Sequence, residues 1–269
     1  MDASDVDRQG FLGSGFALAR RVARIGAVGV SGGGSHIVQQ LAHLGFDRVT
    51  MFDADVFGKE NLHRHVGARH ADIAAQTKKV AIGQRVYDDV RPGAVVRPVD
   101  KRWQDRADLL RSCDLVIGCI DTFEGRKEIE TTARRYLIPY IDIGMDVFTV
   151  QGAPPRVVGQ MALSLPGGPC LECLSVVTER ELAQEASRYG GKVIRQQVVN
   201  ANGQLASAAI GVALDVLCGW SGDLKPPILL QYDGNRCTIE RSRKLNGREH
   251  VRCPHFPACE MGDPIGIDL

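Results

Sequence analysis

The sequence predicts an α/β fold, a mainly parallel sheet with helices on both faces, and three observations carry that reading. Short apolar runs alternate with amphipathic stretches of helical length from Arg24 to Gly144. A glycine-rich turn, Gly29 to Gly34, follows the first run. Carboxylates close later runs at Asp53 and Asp121, at the strand ends where open parallel sheets bind ligands.

In chain order, Phe16, Leu18 and Val22 are spaced for a short helix that delivers Arg20, Arg21 and Arg24 to the first strand. Gly29-Val-Ser-Gly-Gly-Gly34 keeps a phosphate-loop spacing but has Ser31 where a second glycine normally lets backbone approach a pyrophosphate. A strand that feeds backbone amides into a helix N-terminus holds phosphate, because unpaired N–H groups and the helix dipole converge there. Residues 35–44 read as that helix, with Gly45 as its stop, and 48–52 as the second strand. Beyond Asp53 and Asp55 come Glu60, Asn61, Arg64 and Lys78, the last opening a helix that runs to Val90. Carboxylates suited to Mg²⁺ and cations suited to phosphates are thus gathered behind one strand. Strands are expected at 94–100, 115–120 and 139–144, with a helix over 124–136.

After Gly144 the alternation loosens. Short antiparallel strands are expected at 147–150 and 160–163 around Pro154-Pro155, a polar helix at 178–188, and a mobile loop from Gly190 to Asn202. A buried helix at 203–218 and strands within 229–241 complete the Rossmann-like core and its antiparallel C-terminal extension. No repeat, low-complexity tract or linker divides the 269 residues.

The formal charge of +1 announces no polyanion-binding face, which argues against nucleic acid as a partner. The polar, acidic N-terminus is unlike a signal peptide and no stretch is judged to approach membrane-spanning length, so a cytoplasmic protein is expected. Eight cysteines without an export signal point to metal ligation or plain burial. Cys170 and Cys173 form a C-x-x-C flanked by glycine and proline, and Cys253 and Cys259 lie close together with His255 between them. The single cysteines Cys113, Cys119, Cys218 and Cys237 are expected to be buried thiols.

These residues resemble the enzymes that adenylate the C-terminal glycine of ubiquitin-like modifiers and sulfur carriers. The shared pattern is a glycine loop, an aspartate closing the second strand, an Asn-x-x-Arg, a lysine opening the next helix and an aspartate closing the fourth strand. Here these are Gly29, Gly32 and Gly34, then Asp53, Asn61 with Arg64, Lys78, and Asp121. The resemblance implies that Asp53, beside Asp55, holds the ribose of ATP, that Asn61, Arg64 and Lys78 hold the phosphates, and that Asp121 binds Mg²⁺. It implies a homodimer in which Arg8 reaches the opposite active site, and a partner protein ending in Gly-Gly. It also implies a structural Zn²⁺ on Cys170, Cys173, Cys253 and a fourth ligand, with Cys259 preferred over His255 because a sulfur-only set is the more familiar one. Residues 1–24 would form an arm, 25–145 a nucleotide-binding half and 146–269 a zinc-bearing, partner-binding half of one domain. Absence of cysteine from 174–217 implies adenylation without a thioester. The competing readings are a non-catalytic scaffold subunit, which Ser31 would suit, and an NAD-dependent oxidoreductase, which leaves Asn61, Arg64, Lys78 and the thiols without roles.

Overall fold

The computed structural model describes residues 3–149, 151–187, 196–222, 225–242 and 253–256. The chain enters through a 3₁₀ turn, Ala3–Leu12, and helix α1, Gly13–Val22. Then β1, Arg24–Val28, leads into α2, Gly32–Leu44, and β2, Arg48–Phe52, is followed by the short α3, Ala71–Ala74, and α4, Lys79–Val90. Next come β3, Val95–Val99, α5, Ala107–Leu110, β4, Leu115–Gly118, and α6, Phe123–Arg135. The remainder is β5, Tyr140–Phe148, β6, Arg156–Ser164, α7, Glu179–Ser187, α8, Val199–Cys218, β7, Leu229–Asp233, and β8, Thr238–Arg241.

The strands form one sheet in the order β3-β2-β1-β4-β5-β6-β7-β8, parallel from β3 to β5 and antiparallel thereafter. Period-two alternation sorts the side chains. Ile25, Ala27, Leu115, Ile117, Ile141 and Ile143 face a core shared with α1, α2, α4 and α8. Val28, Val116 and Tyr140 face a second core shared with α5, α6 and the 171–177 loop. Helices therefore cover both faces, as expected of a sheet whose strands are continuous apolar runs.

Several expectations are corrected. Helix α2 begins at Gly32, three residues before the expected start at Ser35, so the loop glycines form its first turn. The strands expected at 139–144 and 147–150 are one strand, β5, paired along its whole length with β6. Helix α8 starts at Val199 rather than Gly203, which converts the end of the expected mobile loop into helix; its earlier part, 188–195, lies outside the described residues. At 20 residues and a mean hydropathy of 1.3, α8 is long and apolar enough to cross a membrane, contrary to the reading that no stretch approaches that length. Its composition has a core explanation: Leu205, Ala206, Ala209, Val212 and Ala213 are buried, and the helix packs on α2, β5 and β6. Among the single cysteines Cys113 is buried and Cys119 and Cys218 are half-buried, but Cys237 is exposed, because it sits at φ 55° in the β7–β8 hairpin turn.

One buried network fastens α6 to the rest. Arg134 donates to Ser164 Oγ (2.9 Å), Gly168 O (3.1 Å) and Pro169 O (2.8 Å) and lies 3.4 Å from Glu130 Oε1. Glu130 Oε1 also accepts the Leu171 N–H at 2.9 Å. Both side chains are only 1% exposed, so removing the guanidinium strands a buried carboxylate. Arg134→Met is expected to lower unfolding free energy by about 3–5 kcal/mol in urea titrations. A loss below about 1 kcal/mol would mean that the network does not hold α6 in place.

Candidate active site

A cleft of 1330 Å³ opens at the carboxyl ends of β1 and β4, where the order of the parallel strands reverses. Its floor exists because three glycines lack side chains. Gly29, at φ 84°, would put a Cβ 2.8 Å from Cys119 O, and a Cβ on Gly34 would overlap Gly29 O. At Gly32 a Cβ would meet Gln197 Oε1 and, at 2.8 Å, Asn202 Nδ2. The first turn of α2 thereby faces the cleft, and Ser31 at its N-cap makes no capping bond with its side chain. N–H groups left open in this way are an anion site.

Asp53 ties this loop to β2: Oδ2 accepts the Val30 N–H (2.8 Å) and Oδ1 the Asp55 N–H (3.0 Å). Burial raises its pKa above the ordinary carboxylate value, even though Lys79 and the two N–H groups pull the other way. Each oxygen keeps a second lone pair for a ribose hydroxyl. Lys79, 8% exposed, bridges Asp55 Oδ2 at 2.7 Å and Asp53 Oδ1 at 3.9 Å, while Asp55 itself is 71% exposed. Lys79 lines the cleft; Lys78 is absent from its wall and donates to Ala54 O at 2.9 Å, behind the rim. The resemblance was carried to Lys78 and passed over its neighbour, whose place in the cleft became legible only once α4 was placed against β2.

Asn61 is buried, and its Oδ1 accepts from Arg64 Nη2 at 2.9 Å and from Ser31 Oγ at 3.4 Å. Ser31, the departure from the glycine pattern, therefore belongs to the same polar cluster. Arg64 Nε is buried without a hydrogen-bond partner among the described residues. Ser35 fastens the turn from beneath: its Oγ donates to Gly32 O (2.8 Å) and accepts the Val66 N–H (3.0 Å). His65 packs edge-on against Phe57 with ring centroids 5.5 Å apart, and its pKa is lowered to about 4 by burial, with Lys79 adding to the shift.

Across the cleft, Asp121 and Thr122 line the wall ahead of α6 and are exposed. Beneath them Arg126, missed in the sequence, donates to Ile120 O (3.2 Å) and to Asp142 Oδ2 (2.9 Å), and the Tyr140 hydroxyl donates to Asp142 Oδ1 (3.0 Å). Burial holds Asp142 above the ordinary carboxylate range despite Arg126. Its signal was available: a guanidinium on α6 one turn before the apolar Ile129. Glu181, Gln184 and Glu185 of α7 form the outer wall, where Glu185 accepts the Glu124 N–H at 2.9 Å. Arg8 is exposed and not in this wall; its neighbour Gln9 donates to His43 O, at the far end of α2, roughly 18 Å from the loop by helix rise.

A second cluster lies beyond α6. Cys170, Cys173, Cys253 and His255 bring one ligand atom each within 4.8 Å of one another, an arrangement that could hold a metal ion. Cys259 lies outside the described residues.

A model of one protein family matches residues 9–255. The chain belongs to the ThiF family. ThiF-family relatives include the molybdopterin-synthase adenylyltransferase of Escherichia coli, 24% identical over 90% of this chain and 88% of that protein. An adenylyltransferase and sulfurtransferase, uba4 of Emericella nidulans, is 27% identical over 93% of this chain, which spans only 51% of that protein. The fold is also that of E. coli MccB, solved with ATP, at a TM-score of 0.71 and 18% identity over 93% of this chain and 74% of that one. The likeness of fold to MccB covers the parallel sheet and the antiparallel strands behind it.

The buried turn of this ThiF-family cleft carries a pH signature. A His65 pKa below the ordinary 6.5 means that the unfolded chain takes up the proton first, so its share of stability is whole above pH 6.5 and is lost as pH falls toward 4. Between those limits His65→Gln is expected to flatten the dependence of unfolding free energy on pH, by up to about 1.4 kcal/mol per unit. Parallel curves for wild type and variant would show that His65 titrates normally.

Proposed function

We propose that this chain adenylates a carboxylate with ATP, and that the carboxylate is the C-terminal glycine of a ubiquitin-like or sulfur-carrier protein. The observation that carries the reading is convergence: Gly29, Gly32 and Gly33 of the loop, Asp53, Asn61 with Arg64, Lys79 and Asp121 all line one cleft. A dinucleotide site would leave the cations without work. An incoming carboxylate oxygen attacks the α-phosphorus, the bond from that phosphorus to the bridging oxygen breaks, and pyrophosphate leaves with the electron pair. Both reactants are negative, so cations and helix N–H groups are needed and a strong base is not. Arg64, with Nε unclaimed among the described residues, faces the phosphates, and Asp53, bonded to backbone on one side, receives the ribose. Lys79 supplies a second cation in the wall, and Lys78, through Ala54, shapes the rim. Ser31, held toward Asn61, belongs to the phosphate-binding set and is no sign of a decayed site.

Asp121 fits Mg²⁺: it is a hard oxygen donor in the cleft wall, and it has no hydrogen bond or ion pair among the described residues. Bound there, Mg²⁺ would neutralise charge on the leaving pyrophosphate. The thiol cluster fits Zn²⁺, with soft sulfur donors at tetrahedral spacing and none of its residues in the cleft wall, which makes its role structural. Among the described residues Cys119 is the cysteine that lines the cleft, and burial pushes its pKa well up, so it stays protonated and adenylation proceeds without a thioester. Arg8, far from its own cleft, would complete the site of a second copy in a homodimer.

The test is ATP–pyrophosphate exchange with small proteins ending in Gly-Gly. Exchange is expected, and Arg64→Ala and Lys79→Ala should each suppress it by at least about 100-fold with unchanged circular dichroism. Lys78→Ala should reduce it too, through the rim. Exchange at wild-type rate in the Arg64 variant would overturn the assignment; tight ATP binding with no exchange on any acceptor would favour the scaffold reading.

A further inference from the structure

Between the two metal-facing cysteines of the 170–173 turn stands a carboxylate that the cleft does not use. Glu172 Oε2 lies 3.3 Å from His255 Nε2, and its Oε1 lies 2.5 Å from Lys127 Nζ on α6. We propose that the metal centre of this chain is a three-sulfur, one-nitrogen site in which His255 binds through Nδ1, and that Glu172, anchored by Lys127, is the positioning residue that orients the ring. This departs from the sulfur-only set that the family resemblance implied.

Spacing supports the donor set. Zinc–sulfur bonds of about 2.3 Å in a tetrahedron put sulfurs about 3.8 Å apart, and a nitrogen at about 2.0 Å lies roughly 3.5 Å from each sulfur. Observed separations are 3.6 Å for Cys170 to Cys173, 3.7 Å for Cys173 to Cys253, and 3.4 Å from His255 Nδ1 to both Cys170 and Cys173, with 4.0 Å to Cys253. The His255 backbone is held from both sides. Cys253 is buried, and the Phe256 ring lies 4.9 Å from the guanidinium of Arg134, the same arginine that binds the carbonyls of Gly168 and Pro169.

Charge supports it independently. Three thiolates on a divalent ion already leave one net negative charge, and Glu172 adds another beside the fourth position. A fourth thiolate there would face carboxylate repulsion. A neutral imidazole bound through Nδ1 instead carries its proton on Nε2, where a carboxylate accepts it, the arrangement that fixes tautomer and ring orientation in metal sites. Lys127 offsets part of the accumulated negative charge.

X-ray absorption on the zinc-loaded wild-type protein tests the donor set without any variant. A shell of three sulfurs near 2.3 Å and one nitrogen near 2.0 Å is expected, and a four-sulfur shell would overturn the proposal. Competition with a chromogenic chelator tests the positioning role. Glu172→Gln should weaken zinc affinity by about 10–100-fold while the absorption shell stays three-sulfur, one-nitrogen, and Cys259→Ser should bind as wild type does. Unchanged affinity in Glu172→Gln would remove Glu172 from the role, and loss of zinc in Cys259→Ser would remove His255. The readouts are independent of adenylation, so failure here leaves the proposed activity standing.

Discussion

The cleft depends on one carboxylate. Asp53 joins the loop after β1 to the end of β2 by accepting from Val30 and Asp55, while Gly29 N–H bonds to Phe52 O at 2.9 Å. These bonds hold the first turn of α2 against the sheet so closely that Gly34 has no room for a Cβ. A charged, mostly buried side chain is stabilised there by hydrogen bonds from backbone and by Lys79 nearby, so the loop is set before any ligand arrives. Preorganisation of this kind spares a nucleotide the cost of ordering its own site.

Helix α6 connects this cleft to the metal cluster. Its first turn borders Asp121, Arg126 grips Ile120 O and Asp142 below the wall, and Lys127, Glu130 and Arg134 hold Glu172, Leu171 and the 168–169 carbonyls. Gly144 makes this possible, because a Cβ there would strike the Arg126 guanidinium. Strand β5 runs on through Gly144 because its pairing with β6 continues from Tyr140 to Phe148.

What the sequence disclosed follows from the range of the forces involved. Apolar periodicity is local, so β2 and the helix α6 were placed within a residue, and the polar positions Asp53, Asn61, Arg64 and Asp121 do line one cleft. Contacts made across the fold were not legible. Lys79 rather than Lys78 lines the cleft because of how α4 docks on the β2 end, and Ser31 finds Asn61 thirty positions away. The α8 helix was mistaken in extent because small residues and asparagines hide a helical face that only α2 and β5 complete. Cys237 escaped burial because a hairpin turn, invisible as periodicity, lifts it into solvent.

Oxygen transfer tests the central claim, carboxylate attack on the α-phosphate in this cleft, most directly. An acceptor protein carrying heavy oxygen in its terminal Gly-Gly carboxylate would be incubated with enzyme and Mg²⁺-ATP, the activated acyl group trapped with hydroxylamine, and the nucleotide products read by mass spectrometry. The account predicts AMP carrying a single heavy oxygen and unlabelled pyrophosphate. Labelled inorganic phosphate formed together with ADP, or AMP without label, would contradict it.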